Sequence, residues 1–407
     1  MSSLIVKVCK IDKILKHDNA DRLEIATVGG WQCIILKDRY KKGDKIVYVP
    51  IDSMIPFELS EKLGITKYLE NPERDKEGNI IFSRVRTVKL RGVISQGLIL
   101  DADQSWEIDQ NVKDIFGIKK YIPIFRHSNR SNKKHSMPGW RLPEYPDFNK
   151  YTDIENINHY INVFETGEEV IATEKLHGTN GRYGKLIIDP IYFPFMDRMK
   201  IYFKKTANKL TFGLYNYNPY MFLAGSHNCN IKRPGKWEQK HRDIIDVYWK
   251  IAEKYDLENK LRNGEEMFGE IYGVGIQKYF EYDALDEPKC RFFDLKFKQS
   301  LDAGMIYANW DIFESRCTVL DLPMVPILYR GPFYPELINE YKSGPSMIGN
   351  HMREGCVIKP VIERFHTKLG RIILKCISEE YLLFKGKKEN ELVKQGEESP
   401  ELDIFDH

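Results

Sequence analysis

The sequence lacks a strong excess of charge of either sign. Its 407 residues contain 62 Lys+Arg and 59 Asp+Glu, so the formal net charge is only +3. This balance excludes a field that attracts nucleic acid over the whole molecule, and any nucleic-acid surface must come from local clusters of lysine and arginine. A hydrophobic content of 42% over this length allows a substantial core and two domains.

The sequence also lacks cysteine pairs at metal-binding spacing. Its 7 cysteines are dispersed without a Cys-x-x-Cys pair, which argues against a structural zinc site and suits thiols packed as core residues in a reducing compartment. The first residues show no apolar segment typical of a secretory signal, and no apolar run reaches about 18 residues. We therefore expect an intracellular protein, cytoplasmic or nuclear, with no membrane partner.

Residues 1–115 are predicted to be mostly β. Short apolar or alternating segments are separated by turn signals, which favours a small barrel or sandwich. The predicted strands cover residues 4–9, 30–36, 45–49 and 86–91.

Four basic residues lie close together in this part of the chain, at Arg84, Arg86, Lys89 and Arg91. On a strand, Arg84 and Arg86 would share one face, and Lys89 and Arg91 the other. One interpretation is a basic stripe that follows a phosphate backbone. The other is a solvated edge strand whose charges protect it against aggregation.

The remaining chain divides into three parts. Residues 116–150 are polar, basic and rich in turn residues, as in a linker. Residues 151–384 mix strands and helices, which predicts an α+β domain with a helix over 237–261. Aromatic residues and lysines concentrate in 187–222. This segment is either an insertion packed on the domain or a surface that stacks on bases. Residues 385–407 form a polar tail.

One lysine lies at the end of an apolar strand. Val170, Ile171 and Ala172 lead to Glu174-Lys175, and Gly178 follows after two further residues. A lysine at this position can act as a nucleophile, and the backbone amides of the glycine turn can receive phosphate oxygens. The alternative is a surface lysine at a strand end, because this short pattern occurs often by chance.

Four later segments each place a charged residue in a short apolar strand. These residues are Glu270, Asp294, Glu354 and Lys375. A single charge in such a strand is costly unless it is paired, so each requires a partner or a ligand.

In this order the residues resemble the motifs of the covalent nucleotidyltransferase superfamily of ligases and capping enzymes. The matching segments are Lys175-Leu-His-Gly178, Ser226-His-Asn228, Glu270-Ile-Tyr-Gly273, Phe293-Asp294, Glu354-Gly355 and Lys375. Only 32 residues follow Lys375, too few for a C-terminal barrel, whereas phrases such as 17–24, 42–47 and 88–98 resemble an OB domain in front. This layout is similar to the nick-sealing RNA ligases of the Naegleria and Deinococcus type.

The resemblance implies an N-terminal OB-type β-barrel followed by an adenylyltransferase domain. It implies that Lys175 attacks ATP to form lysyl-AMP, that Lys375 neutralises charge on the α-phosphate, and that Glu354 holds Mg²⁺ or Mn²⁺. Since free lysine has a pKa of about 10.4, Lys175 has to lose its proton first. The implied RNA substrate is a nicked duplex with an RNA 3′-hydroxyl end, sealed by a monomer.

The resemblance also implies the residues that contact the nucleotide and the RNA. Glu270 and Asn180 would bind the ribose, Phe293 would stack on adenine, and Arg182 would reach the ribose or a phosphate. Glu174 joins this nucleotide-binding set. The residues implied to contact the reacting RNA strands are Ser226, His227 and Asn228.

Some features leave alternatives open. His177 stands where relatives often have an acidic residue, and Ile373 where many have a second lysine. Phe293 could instead be a core residue and Asp294 a structural one. The alternative functions are a GTP-dependent capping-type transferase and an inactive RNA-binding relative.

Overall fold

The structure is a computed structural model, and it describes residues 4–121, 141–160, 162–192, 195–211, 218–234, 247–277, 279–300, 303–367 and 369–384. The described residues fall into two compact units. The first is drawn from the ranges 1–127, 153–165 and 374–398, and the second from the ranges 128–152, 166–373 and 399–407. The mixture of strands and helices confirms the predicted α+β class.

The strands of the described residues are numbered in chain order: β1 Lys7–Lys10, β2 Lys13–Lys16, β3 Leu23–Val28, β4 Trp31–Leu36, β5 Lys45–Val49, β6 Ser53–Pro56, β7 Glu70–Arg74, β8 Ile80–Arg84, β9 Thr87–Leu90, β10 Val93–Gln96, β11 Leu98–Asp101, β12 Lys119–Lys120, β13 Arg141–Leu142, β14 Glu155–Asn156, β15 Glu169–Lys175, β16 Thr179–Ile187, β17 Tyr220–Ser226, β18 Asn230–Ile231, β19 Glu265–Tyr272, β20 Lys289–Lys298, β21 Met305–Tyr307, β22 Ile327–Pro332, β23 Gly355–Pro360, β24 Phe365–His366, β25 Gly370–Arg371 and β26 Leu374–Ile377. The α-helices are α1 Phe57–Lys62, α2 Phe195–Leu210, α3 Val247–Lys254, α4 Leu257–Lys260, α5 Trp310–Leu320 and α6 Leu337–Lys342. Short 3₁₀ turns cover Thr66–Tyr68, Ile157–His159 and Pro190–Tyr192.

The first unit is built mainly from small antiparallel sheets around two apolar cores. Its sheets have the orders β1-β5-β11, β2-β3-β4, β9-β10 and β12-β6-β8-β7. Strand β5 lies where the sequence predicts it, and its Ile46 and Val47 are fully buried in different cores. Successive side chains of a strand point to opposite faces, so one strand serves both cores.

The four basic residues at 84–91 do not share one strand. Strand β8 ends at Arg84 and β9 begins at Thr87, so Arg86 lies between the two strands. Arg91 lies in the turn after β9, where its backbone φ is 49°. The predicted strand over 86–91 is therefore too long, and the predicted sharing of faces is wrong. Of the four side chains, those of Lys89 and Arg91 are exposed.

The other two arginines have acidic partners within the first unit. The Arg84 guanidinium lies 2.7 Å from the Asp52 carboxylate and over the ring of Tyr121, and Arg86 pairs with Glu70. These contacts satisfy both cations within the fold and argue against a continuous basic stripe.

The second unit contains two groups of antiparallel strands. A seven-stranded sheet has the order β13-β18-β17-β16-β19-β20-β21. Strand β15 pairs with β22 on one side and with β23 on the other. One core contains Met267 and Ile271 from β19, Tyr248 from α3, and Trp310 and Phe313 from α5. A second, smaller apolar cluster contains Leu186 from β16, Leu223 from β17, and Tyr145 and Phe148.

The helix predicted over 237–261 is broken within the part of it that the structure describes. Residues 237–246 lie outside the described ranges, α3 ends at Lys254, and α4 begins at Leu257. Asp256 separates them with a left-handed backbone φ of 52°. The predicted core stripe is confirmed where it is described, since Tyr248, Ile251 and Ala252 are buried.

Residues 187–222 contain helix α2, which was not predicted from the sequence. Its large apolar side chains are mostly exposed, so a fully packed excursion is the wrong description of this segment. Whether it stacks on bases stays a prediction.

The predicted linker and tail lie mainly outside the described residues, in 122–140 and 385–407. The predicted domain boundaries therefore stay a prediction. All 7 cysteine side chains are buried, as expected for core residues. Within the described ranges, we find no helix with the length and apolar character needed to cross a membrane.

Candidate active site

Lys175 lies where the chain passes between the two groups of strands in the second unit. It is the last residue of β15, and β16 begins four residues later at Thr179. A side chain on Gly178 would place its Cβ 2.1 Å from the carbonyl oxygen of Ile271, so the turn approaches β19 too closely for any residue except glycine. The His177 amide donates to the Tyr282 hydroxyl at 2.7 Å. These contacts fix the turn beside Lys175.

Glu354 brings together the charged groups of this turn. It directly precedes β23, whose first residue, Gly355, is the strand partner of Lys175. The Lys175 Nζ lies 2.7 Å from one Glu354 oxygen, and the His177 Nδ1 lies 3.6 Å from the other. Burial alone would raise the pKa of Glu354, but the Lys175 charge and the contact with His177 outweigh it and lower the pKa to about 2. Glu354 is therefore a buried carboxylate that stays ionised.

Glu174 offers a second buried carboxylate beside Lys175. It is 1% exposed, and its Oε2 accepts a hydrogen bond from the Met347 amide at 2.8 Å. Among the described residues its Oε1 has no hydrogen-bond partner. A buried acceptor that lacks a hydrogen bond lowers the stability of the folded protein, so this oxygen is suited to accept a hydrogen bond from a ligand.

Asn180 and Glu270 lie opposite each other on neighbouring strands β16 and β19. Directly opposed residues project to the same face of a sheet, so the structure brings these two side chains together. The Asn180 Oδ1 has no hydrogen-bond partner among the described residues. The pair can serve as the hydroxyl-binding group that the sequence predicts, and its contact with a ribose stays a prediction.

The geometry argues against the predicted contact of Arg182 with a nucleotide. Arg182 is 1% exposed, and burial lowers its pKa. Its guanidinium donates to the Ser226 carbonyl at 2.7 Å, the Phe148 carbonyl at 2.6 Å and the Asn230 side chain at 2.7 Å, and it also lies over the Phe148 ring. In this conformation Arg182 joins strands of the sheet instead of facing a ligand.

Ser226 also has a role within the fold. It is fully buried, and its hydroxyl accepts hydrogen bonds from the Asn228 amide at 3.3 Å and the Cys229 amide at 3.0 Å. These bonds shape the turn that carries His227 and Asn228, both of which are only partly buried. The predicted contact of this turn with RNA stays a prediction, in which Ser226 would position the other two residues.

Asp294 is the centre of a buried ionic network that the sequence predicts only in part. It is 0% exposed and contacts the Lys359 Nζ at 3.1 Å, the Arg371 guanidinium at 2.7 Å and the Tyr151 hydroxyl at 2.6 Å. Lys359 and Arg371 also pair with Glu363. Burial raises the pKa of Asp294, but the two cations outweigh it and lower the pKa below its usual range.

This network ties β20 to β23 and leaves the neighbouring Phe293 partly exposed. The Phe293 ring packs edge-to-face against Tyr151, with a centroid distance of 5.1 Å. Lys359 could have been found from the sequence, because it is a lone charge in the apolar segment 356–361. Stacking of Phe293 on adenine stays a prediction.

Lys375 lies on β26 and belongs by its contacts to the first unit. Its partner strand there is β14, where Asn156 lies opposite it. Its predicted action on a phosphate bound near Lys175 stays a prediction.

Glu266 is a buried carboxylate that was not among the site residues predicted from the sequence. It is 0% exposed, neither of its oxygens has a hydrogen-bond partner among the described residues, and its closest cation is Lys296 at 3.8 Å. Burial raises the pKa of Glu266 from 4.5 to about 8, against the opposing charges of Lys296 and Arg182. An acid whose pKa is raised by folding destabilises the folded state as the pH rises through this range.

We therefore expect Glu266→Gln to stabilise the protein at high pH. The free energy of unfolding of the variant, relative to wild type, should increase by about 4 kcal/mol between pH 4 and pH 8, because the wild-type penalty is present only at the higher pH. Denaturant unfolding at several pH values measures this difference. Glu253→Gln, at an exposed position on α3, should show no such trend. A difference that is independent of pH would contradict the assignment.

Two models of known protein families match separate parts of the chain. A model of an OB-fold domain matches residues 5–102, and a model described as RNA ligase matches residues 168–377. These matches confirm the predicted order of an N-terminal OB domain followed by a ligase domain. No curated protein sequence matches the chain significantly.

Solved structures of Naegleria gruberi RNA ligase have a similar fold. The structure with PPi is 22% identical to this chain with a TM-score of 0.66, and the match covers 95% of this chain and 100% of that chain. A variant with ATP and Mn is 24% identical with a TM-score of 0.66, covering 94% and 99%. A second variant with AMP and Mn is 23% identical with a TM-score of 0.65, covering 93% and 98%.

Proposed function

This chain belongs to the RNA ligase family, since the matched residues 168–377 make up more than half of its length, and from that premise we propose that it uses ATP to join a 5′-phosphate and a 3′-hydroxyl RNA end. The single observation that carries the proposal is the position of Lys175, beside the Gly178 turn and 2.7 Å from buried Glu354. A lysine held in this way can be a covalent carrier of a nucleotide.

In the first step the Lys175 Nζ attacks the α-phosphorus of ATP. A phosphorus–nitrogen bond forms, the bond to the leaving oxygen breaks, and pyrophosphate departs while the amine loses a proton. The ion pair with Glu354 favours the charged form of the amine, so this pair has to open before the attack. We propose that backbone amides of the Lys175–Gly178 turn other than that of His177, which donates to the Tyr282 hydroxyl, receive phosphate oxygens.

In the later steps the AMP moves to RNA and is then released. An oxygen of the RNA 5′-phosphate attacks the lysyl-AMP phosphorus, and the lysine is regenerated. The 3′-hydroxyl then attacks the activated 5′-phosphate, which forms the new phosphodiester and expels AMP. We propose that His227 and Asn228 contact the reacting strands, and that the substrate is a nicked duplex with an RNA 3′-hydroxyl end.

A divalent metal fits the residues of this site. Glu354 supplies one buried, ionised carboxylate, and no cluster of three metal-ligating side chains occurs among the described residues. Mg²⁺ or Mn²⁺ held by one carboxylate, water and the phosphates of ATP agrees with that donor set. When bound, the metal would supply positive charge to the phosphates. The solved Naegleria gruberi structures with ATP or AMP and Mn support this assignment.

The buried Oε1 of Glu174 favours ATP over GTP. Adenine carries an amino group that can donate to this oxygen, whereas guanine carries a carbonyl at the same position, which a carboxylate would repel. We therefore expect ATP labelled in the α-phosphate, but not labelled GTP, to leave a covalent adduct on the protein. In Glu174→Gln the preference for ATP over GTP should fall by about tenfold or more, because the amide can donate to guanine.

A denaturing gel after incubation with each labelled nucleotide measures this preference. Glu253→Gln, at an exposed position, is the matched control and should keep the wild-type preference. An adduct with GTP alone would instead indicate a capping-type transferase. No adduct with either nucleotide would indicate an inactive RNA-binding relative.

A further inference from the structure

Helix α2 exposes an unusual amount of apolar surface. Large apolar side chains on α2 and on the turn before it are between 63% and 74% exposed: Ile191, Phe195, Met196, Tyr202, Phe203 and Leu210. Single exposed apolar residues are normal on a protein surface, but a group of six in one segment marks an interaction site.

The apolar residues lie on one side of α2. At about 100° per residue, Phe195, Met196, Met199, Phe203 and Leu210 fall within an arc of roughly 100°. The helix is therefore amphipathic. Its apolar side chains recur at three- and four-residue spacing, as in helices that bind a hydrophobic groove or a membrane.

Basic residues border this arc on both edges. By the same geometry Arg198, Lys205 and Lys209 lie along one edge, and Lys200 and Lys204 lie along the other. Basic residues on both sides of an apolar face are typical of a helix that lies in the interface of an anionic membrane. There the apolar side chains enter the acyl region, and the long basic side chains reach the headgroups.

RNA fits this surface less well. Phosphates would satisfy the basic edges, and bases could stack on Tyr202 or Phe203. However, aliphatic and thioether groups such as those of Met196 and Leu210 offer no stacking surface and would stay in water. An anionic lipid surface satisfies both the charges and the apolar side chains.

We propose that α2 binds the surface of an anionic lipid bilayer, lying parallel to the membrane plane. The proposal revises the expectation that the protein has no membrane partner, and it is independent of the proposed ligase chemistry. Each basic residue near an anionic surface adds to the attraction, so the binding should require anionic lipid and weaken with salt.

Co-sedimentation of the full chain with lipid vesicles tests this inference. We expect binding to phosphatidylcholine vesicles that contain about 30% phosphatidylserine, and much weaker binding to vesicles of phosphatidylcholine alone. The double substitution Phe203→Asp with Leu210→Asp should lower the affinity at least about tenfold, because two charges would have to enter the interface. Both positions are exposed, so the fold should tolerate the changes.

Val319→Asp is the matched control, since Val319 is 70% exposed on α5, away from this segment in the sequence. It should leave vesicle binding unchanged. Failure of the wild-type chain to bind anionic vesicles would overturn the proposal. So would an equal loss of binding in the control and in the double variant. If the double variant loses affinity for single-stranded RNA while wild type ignores vesicles, α2 is an RNA surface instead.

Discussion

Replacing Lys175 with alanine is expected to abolish formation of the covalent nucleotide adduct. The rate of adduct formation from ATP should fall by a factor on the order of 10⁴ or more, because no other group can replace the Nζ that forms the phosphorus–nitrogen bond. Lys254→Ala is the matched control, since its Nζ pairs with Glu287 on the surface. A denaturing gel with labelled ATP measures both variants.

The same variant separates the steps of the reaction. Lys175 carries AMP only until the nucleotide reaches RNA, so Lys175→Ala should still join an RNA strand supplied already adenylylated at its 5′ end. If the Lys175→Ala protein still forms the adduct, another residue is the nucleophile. A variant that loses both activities, together with its thermal unfolding transition, would show only that the fold had been lost.

Replacing Asp294 with asparagine is expected to destabilise the protein strongly. Asp294 is fully buried between Lys359 and Arg371, and removal of its charge leaves two buried cations with Glu363 as their remaining acid. Breaking a buried ionic network in this way costs about 3–5 kcal/mol. Denaturant unfolding of the variant and of wild type measures the loss.

Asp311→Asn is the matched control for that experiment. Asp311 also pairs with an arginine, Arg330 at 2.6 Å, but its side chain is 62% exposed. Exposed ion pairs contribute little to stability, so this variant should unfold almost like wild type. Equal, small losses in both variants would mean that the Asp294 network does not hold β20 in place.

Much of the site could be predicted from the sequence because each motif is a local signal. Lys175, Glu270, Asp294 and Glu354 each follow or interrupt a short apolar strand, and a charge in such a strand is conspicuous. The structure places Lys175 beside Glu354 and Asn180 beside Glu270. Neither pairing follows from any single segment, because strand partners far apart in the chain decide it.

The errors arise where tertiary contacts decide the outcome. Arginine often binds ligands, but the Arg182 guanidinium donates hydrogen bonds to the carbonyls at 148 and 226, which are distant in the sequence. The helix predicted over 237–261 is interrupted at Asp256, whose backbone is left-handed although the apolar residues around it keep helical spacing. Arg84 and Arg86 find acids elsewhere in the first unit. Spacing along the sequence cannot reveal such partners.

The measurement that tests the central claim most directly is the sealing of a nick. A duplex with one nick, an RNA 3′-hydroxyl and a labelled 5′-phosphate would be incubated with the protein, Mg²⁺ and ATP. We predict a joined strand that resists phosphatase, with adenylylated RNA as a transient intermediate, and no joining by Lys175→Ala without a pre-adenylylated strand. Formation of the Lys175 adduct without joining of nicked or single-stranded RNA ends would contradict the assignment as a ligase.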